Sequence, residues 1–448
     1  MIKPFQATET RLHPWREPLG VAAGLRGRDG ALALLSDGGP LGRWSFVAAD
    51  PDWTGGEGGL DLLRDPALSL GVVGLYAYDA GARPATGRRE TVWPDLMLAR
   101  YPAMLAFDHQ AQTVTAIGRG PDAVSCRQAA ERAEAWLSEA VDAAPPPPPA
   151  PAMPAEQSPE AYLAAVADVV DRIGSGELFQ ANIARAWSGE LSPGADPFDV
   201  LLRLADRAAA YGAFWRLGDR ALVSNSPELF LTFDPASRRI ETRPIKGTRP
   251  RHADPARDAA LAAELAVSAK DRAENLMIVD LMRNDLSRVA EPGTVTAERL
   301  FEIESHPTVH HLVSTVIATA RPGTGAADLL AATFPPGSIT GAPKHQAMKV
   351  IAAHERPRGA WCGSLFHIAG DGALTASVLI RTASFERLEG CWRFRALAGA
   401  GIVADSDPAS ELAETEAKIL ALREALTGTG QVTGQVGQSV LSTVRGRR

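Results

Sequence analysis

The sequence predicts a mixed α/β protein of two lobes, from three observations. Residues 1–140 carry short apolar runs between turn residues, a Pro-rich run follows, and from residue 158 longer helical patterns alternate with strands. In the first lobe the runs at 31–35, 44–48, 71–78 and 104–107 are punctuated by Gly, Asp and Pro, as strands are. A helix is expected over 125–140. Pro145 to Pro149 are consecutive prolines, which cannot pack as helix or central strand, so this stretch reads as a stiff connector.

The second lobe opens with Ser158-Pro159-Glu160, a helix start, followed by Tyr162, Val166, Val169, Val170 and Ile173 at helical spacing. Gly174-Ser175-Gly176 stops that helix and a strand resumes at Phe179. Residues 255–286 read as one long helix whose apolar face is Leu276, Ile278, Val279, Leu281 and Met282. Strands are expected at 312–318, 377–382, 394–398 and 401–404, and a helix at 408–426. The division is therefore an N-terminal lobe 1–141, a linker 142–157 and a second lobe 158–427. The Gly/Gln/Ser/Thr-rich tail 428–448 is expected to be disordered.

Composition narrows the function classes. The 448 residues are 45% hydrophobic and 22% charged with a formal net charge of −7, which argues against nucleic acid or an anionic membrane as the main partner. Cys126, Cys362 and Cys391 lie far apart without metal-ligand spacing, and an odd count suits a reducing compartment. The N-terminus lacks an apolar signal segment and no apolar run is long enough to span a bilayer, so a cytoplasmic protein is expected.

Five constellations carry possible chemistry. Pro244-Ile245-Lys246-Gly247-Thr248-Arg249-Pro250-Arg251 holds one lysine in a stiff, glycine-relieved turn. That lysine is a cation aimed at an anion, a desolvated nucleophile, or a solvated residue on a surface turn. Glu274 lies on the predicted long helix, and Glu411 and Glu414 lie three apart on the C-terminal one. They could hold a hard cation such as Mg²⁺, or could be solvated helix charge with Glu414 paired to Lys418. Gly337-Ser338-Ile339-Thr340-Gly341 leads through Pro343 to Lys344 at a helix start, and offers free N–H groups to an anion or simply caps the helix. Ala398-Gly399-Ala400-Gly401 marks a close backbone approach or a bulge. Arg381 ends an apolar strand, paired with a buried carboxylate or an acidic neighbour, and the His310-His311 pair taken alone suits a structural role.

The order of these segments resembles the chorismate-utilising enzymes, the family of anthranilate, aminodeoxychorismate, isochorismate and salicylate synthases. The resemblance covers 180–418 closely, through Gln180-Ala181-Asn182, Ser226-Pro227-Glu228, the Lys246 octapeptide, Ala273-Glu274-Asn275, His311-Leu312-Val313-Ser314, the Gly337 turn, Cys362-Gly363-Ser364, Ile380-Arg381-Thr382 and Gly401-Ile402-Val403. It is looser over the N-terminal lobe. It implies an α+β fold of two large antiparallel sheets packed as a sandwich with helices outside, resembling anthranilate synthase component I. It also implies chorismate as substrate and Mg²⁺ held by Glu274, Glu411 and Glu414. Lys246, Glu228 and His311 would be catalytic. Thr248, Arg381, Gly337, Ser338, Thr340, Gly341, Lys344, Gly399, Ala400 and Gly401 would bind substrate, and Ser36 and Arg43 match a tryptophan pocket in relatives.

Within the family, lysine at 246 with glutamine at 180 fits the aminodeoxychorismate branch, which aminates chorismate at C4 on the route to para-aminobenzoate and folate. Anthranilate synthases usually carry alanine at the first position, and isochorismate and salicylate synthases carry lysine at the second. The alternatives are an anthranilate synthase with an atypical lysine, and a non-catalytic relative that binds tryptophan or a partner. No glutaminase Cys-His-Glu set and no lyase domain is recognisable, so ammonia is expected from a separate glutaminase subunit.

Overall fold

The computed structural model describes residues 2–39, 41–91, 93–306 and 309–429. Two antiparallel sheets, of eleven and ten strands, organise the described chain. The burial of each strand follows from its place. Ala7–Pro14, at an edge of the larger sheet, alternates partly buried and exposed residues, whereas Ala103–Asp108 and Leu96–Arg100 are buried at every position. Side chains from both sheets, among them Leu75 and Leu365 from one and Leu105 and Ala383 from the other, share one core cluster. Helices complete the α+β architecture that the resemblance implied.

Both sheets mix strands from the two sequence segments that composition separates. Leu32–Leu35 pairs with Tyr211–Leu217 in the larger sheet, and Val72–Tyr76 pairs with Ser364–Ile368 in the smaller. The Pro-rich stretch is strapped onto the body. Arg203 donates to Pro146 O at 2.8 Å, Ser192 N to Pro149 O at 2.8 Å, and Ala150 N to Leu426 O at 2.9 Å.

Several expected elements change. The long helix over 255–286 is two, Pro255–Val267 and Ala269–Ser287, because Ser268 is extended (ψ 109) and its hydroxyl caps the second helix at Asp271 N. The strand expected over 377–382 breaks, since Leu374–Val378 belongs to the smaller sheet and Thr382–Leu388 to the larger. The two strands expected at 394–398 and 401–404 are one, Cys391–Ile402. Strands Ala7–Pro14, Leu96–Arg100 and Thr113–Gly120 and helices Pro18–Leu25 and Tyr78–Thr86 had no separate sequence signal. Of the expected tail, 430–448 lies outside the described residues; Gly428, with φ +71, ends the last helix.

Candidate active site

Two neighbouring chain crossings between the sheets build the floor of a cavity of about 590 Å³. Arg220–Ser226 ends in the larger sheet, Pro227-Glu228 crosses, and Leu229–Asp234 enters the smaller. The return crossing is 379–381. They are bonded side by side: Ser226 Oγ donates to Val378 O at 2.5 Å, Val378 N to Glu228 O at 3.1 Å, and Asn225 N to Arg381 O at 3.0 Å. Glu228 and Arg381 therefore both reach the cavity, and Arg381 does so with the strained φ of +50.

Lys246 arrives from the smaller sheet. In strand Ile245–Pro250 the register slips between Ile245, opposite Val313, and Thr248, opposite His311. That one extra residue is a bulge, which re-aims a side chain. The expected turn is thus a bulged edge strand. Gly247 sits in it at φ +89, and a Cβ there would lie 2.9 Å from both Asp271 and Leu265, so glycine lets the helices close onto the strand. Asn275 fixes the same helix from within. It accepts from Ser314 Oγ at 2.5 Å and donates to Leu312 O and Pro244 O at 3.4 and 3.5 Å, while its neighbour Glu274 lines the cavity.

On the opposite wall, Cys391–Ile402 presents Gly399 and Gly401 to the cavity while Ala400 points away into an apolar cluster with Tyr162 and Val166. A Cβ on Gly401 would sit 3.1 Å from Lys246 Nζ, and one on Gly399 would sit 2.5 Å from Asn182 Oδ1. At Gly399 a side chain would force a shift, and at Gly401 it would press on the lysine amine.

Several titratable groups in the cavity are displaced from their ordinary values. Lys246 has neither a hydrogen bond nor an ion pair within 4.0 Å among the described residues. Its withdrawal from water lowers its pKa below the ordinary lysine value, with Glu274 opposing and Lys418 adding to the shift. Burial raises Glu228, partly offset by a hydrogen bond with Ser338 and by Lys246. Burial also lowers His311 to about 3, aided by Arg381 and His306, so it is neutral. Its Nδ1 is 2.9 Å from Thr248 Oγ1. Desolvation lowers Arg381 too, and its guanidinium has no hydrogen-bond partner among the described residues.

Of the other expected site residues, Ser338, Glu411 and Glu414 line the cavity, whereas Gly337, Thr340, Gly341, Ala400 and Lys344 do not. Thr340 is spent on its own turn, donating to Pro336 O at 2.9 Å. Lys344 pairs with buried Asp285 and donates to Thr333 O at 3.2 Å. Ser36 lines a separate cavity of about 100 Å³, but Arg43 does not, being paired with Asp108 at 2.6 Å. The sequence did not single out Asn182, Lys270, Asp271 or Trp361, all of which line the main cavity. Only the run of motif around Asn182 could have pointed to one of them.

Glu274, Glu411 and Glu414 supply the oxygen ligands that Mg²⁺ takes. Burial raises Glu274 and Glu411, and Glu414 raises both further, a cost that a cation would relieve. Among the described residues no ready-made cluster of three ligands exists, Glu411 accepting from Ser406 at 2.7 Å and Glu414 pairing with Lys418 at 2.5 Å. The donor chemistry fits an open site, completed by water or substrate.

A sequence model of the chorismate binding enzymes matches residues 52–424. The chain belongs to that family. The aminodeoxychorismate synthase component 1 of Escherichia coli K12 is 40% identical over 365 residues, covering 80% of this chain and 77% of its own. The anthranilate synthase component 1 of Aeropyrum pernix is 35% identical over 423 residues, covering 88% and 90%. The solved anthranilate synthase component I of Streptococcus pneumoniae superposes with a TM-score of 0.69 at 25% identity, covering 95% of this chain and 94% of its own. No described helix is long and apolar enough to cross a membrane.

Proposed function

We propose that this chorismate-utilising enzyme replaces the C4 hydroxyl of chorismate by an amino group, giving 4-amino-4-deoxychorismate. The observation that carries it is Lys246: an amine with no hydrogen bond or ion pair among the described residues, desolvated toward its free base, in one cavity with a carboxyl pushed toward its acid form. Nζ adds to C2, the ring double bonds shift, and the C4–O bond breaks as Glu228 protonates the departing oxygen, which leaves as water. The proton shed by the lysine nitrogen returns to Glu228. Ammonia then adds at C4, the double bonds shift back, and the C2–N bond breaks with its electron pair and a proton returning to Lys246.

The unpaired Arg381 and the bare backbone of Gly399 and Gly401 suit the side-chain carboxylate. Neutral His311, set by Thr248, suits the neighbourhood of the leaving hydroxyl. Glu274, Glu411 and Glu414 would hold Mg²⁺, which would draw charge toward the ring carboxylate. The ammonia would come from a separate glutaminase subunit; the name component 1 of the relative is consistent with a partner component.

Incubation of the purified chain with chorismate, Mg²⁺ and ammonium, with the product separated and weighed, tests this. Aminodeoxychorismate is expected. Anthranilate would mean that Lys246 does not direct attack to C4, and isochorismate that water adds at C2.

A further inference from the structure

Behind the cavity lies a charged pair that the chemistry does not use. Arg358 is 2% exposed and Glu355 is 7% exposed. The guanidinium meets both carboxylate oxygens, Nε to Oε2 at 2.8 Å and Nη2 to Oε1 at 2.9 Å. Its remaining donors reach two backbone carbonyls, Asn182 O at 2.6 Å and Ile339 O at 3.0 Å. Its plane lies over the rings of Trp361 and Tyr78, 4.9 and 4.5 Å from their centroids. Glu355 in turn accepts from Ala184 N at 2.8 Å.

Three of those partners, Asn182, Ile339 and Trp361, are walls of the cavity, and they come from three separate segments. Tyr78 belongs to the N-terminal half, and its segment is pinned to the same place: Gly359 N donates to Asp79 at 2.7 Å and Tyr78 N to Gly359 O at 3.0 Å. Lysine could not do this. A point charge pairs with Glu355 but has no planar fork to reach two carbonyls and no plane to lay on two rings.

We propose that Arg358 is a positioning residue, a buried clamp that sets the mutual placement of Asn182, Ile339 and Trp361 and ties the cavity's back wall to the N-terminal half. It touches no reacting atom. Its consequence for turnover rests on the proposed chemistry in this cavity, but its consequence for the wall does not.

The wall carries its own reporter. Cys362 follows Trp361, is fully buried and lines the cavity, while Cys126 is buried in the N-terminal half and Cys391 is exposed. Iodoacetamide labelling of the full chain, mapped by peptide mass, is compared between wild type and Arg358→Lys. It is followed against pH, so that a change in the Cys362 thiol itself, which Arg358 and Glu355 both perturb, is separated from opening. The expected result is labelling of Cys362 accelerated by about tenfold or more, as a local opening would give, with Cys126 unchanged. Unchanged Cys362, or Cys362 and Cys126 accelerating together, would overturn the proposal. Should Arg358→Lys not fold, Glu355→Gln, which keeps the acceptor for Ala184 N but not the charge, is read the same way. In the amination assay Arg358→Lys should lower kcat by about 10- to 100-fold at unchanged pH profile. Wild-type inactivity on chorismate would sink the amination chemistry while leaving the thiol result to decide the clamp.

Discussion

Lys246 and Arg358 are both basic groups drawn out of bulk water, the first partly and the second almost wholly, and their surroundings are opposite. Lys246 faces a cavity without an ion pair among the described residues, and burial drives its pKa down. Arg358 places four of its N–H groups on acceptors and its guanidinium carbon over two rings. Against the cost of burial, Glu355 holds it above the ordinary arginine value. The same contrast separates Lys246 from Lys344, which Asp285 and Thr333 O engage. A buried charge with partners is architecture; a buried charge left without them is held in a reactive state.

The sharpest way to break this comparison is Lys246→Ala. Turnover to aminodeoxychorismate should fall by about a thousandfold or more, because the nucleophile is gone. The melting temperature should hold or rise, since a desolvated and unpaired amine contributes no stabilising contact. Product formation at the wild-type rate would sink the covalent route, and a collapse in melting temperature would mean that Lys246 is architecture after all.

Glu228→Gln comes next, with an expected loss of about 10²- to 10⁴-fold. The pH profile of kcat/KM gives the sign. The reactive form needs Lys246 without its proton and Glu228 with one. Activity therefore falls toward acid as the amine protonates and falls toward alkali as the carboxyl ionises, giving a bell. Because the two groups face one another, the limbs belong to the pair. Glu228→Gln should erase the alkaline limb and keep the acid one. Glu274→Ala should remove the part of turnover that added Mg²⁺ restores after chelation; a metal-independent wild type would overturn that assignment.

How much of this was legible follows the same division. Lys246 stood out in its Pro- and Gly-bounded turn, Arg381 at the end of an apolar strand, and the three glutamates by their place on predicted helices, whereas Glu228 was named only through the resemblance. Their convergence was not legible without the resemblance, since it depends on two crossings between sheets that no periodicity announces. Residues 377–382 read as one strand because the apolar run Val378-Leu379-Ile380 continues through the crossing; only the backbone reveals that the chain changes sheets just before Thr382. Lys344 was misplaced for the converse reason. A lysine after a Gly-Ser-Ile-Thr-Gly turn looks like an anion ligand, and its real partner, Asp285, lies 59 residues away. The Arg358 clamp had no signal, because its value lies in carbonyls and ring faces that sequence does not display.

Lys344→Met sharpens the contrast by reversing the expected readouts. Asp285, 1% exposed, would be left without its closest cation, since Arg288 stands 3.9 Å away. Loss of stability of about 3 kcal/mol is expected in urea unfolding, with kcat of the folded enzyme within about twofold of wild type. A selective loss of chorismate affinity would restore Lys344 to the binding site.

The smallest effect is expected at Arg43→Ala. Arg43 is half exposed, and its partner Asp108 already accepts from Gln110 N at 3.0 Å and Ala111 N at 3.1 Å. The carboxylate is held at about 2, chiefly by Arg43. A carboxylate whose folded pKa is depressed contributes stability above its unfolded value near 4, and that contribution fades as the pH falls toward 2. Because the pair meets solvent, the difference in melting temperature at neutral pH should be no more than about two degrees. It should shrink as the pH falls toward 2, where Asp108 of the wild type is half protonated, and vanish only below that, once both variants carry a neutral Asp108. A difference that persists there would mean that Arg43 acts through packing on Trp44, whose ring it covers at 5.1 Å, and not through charge.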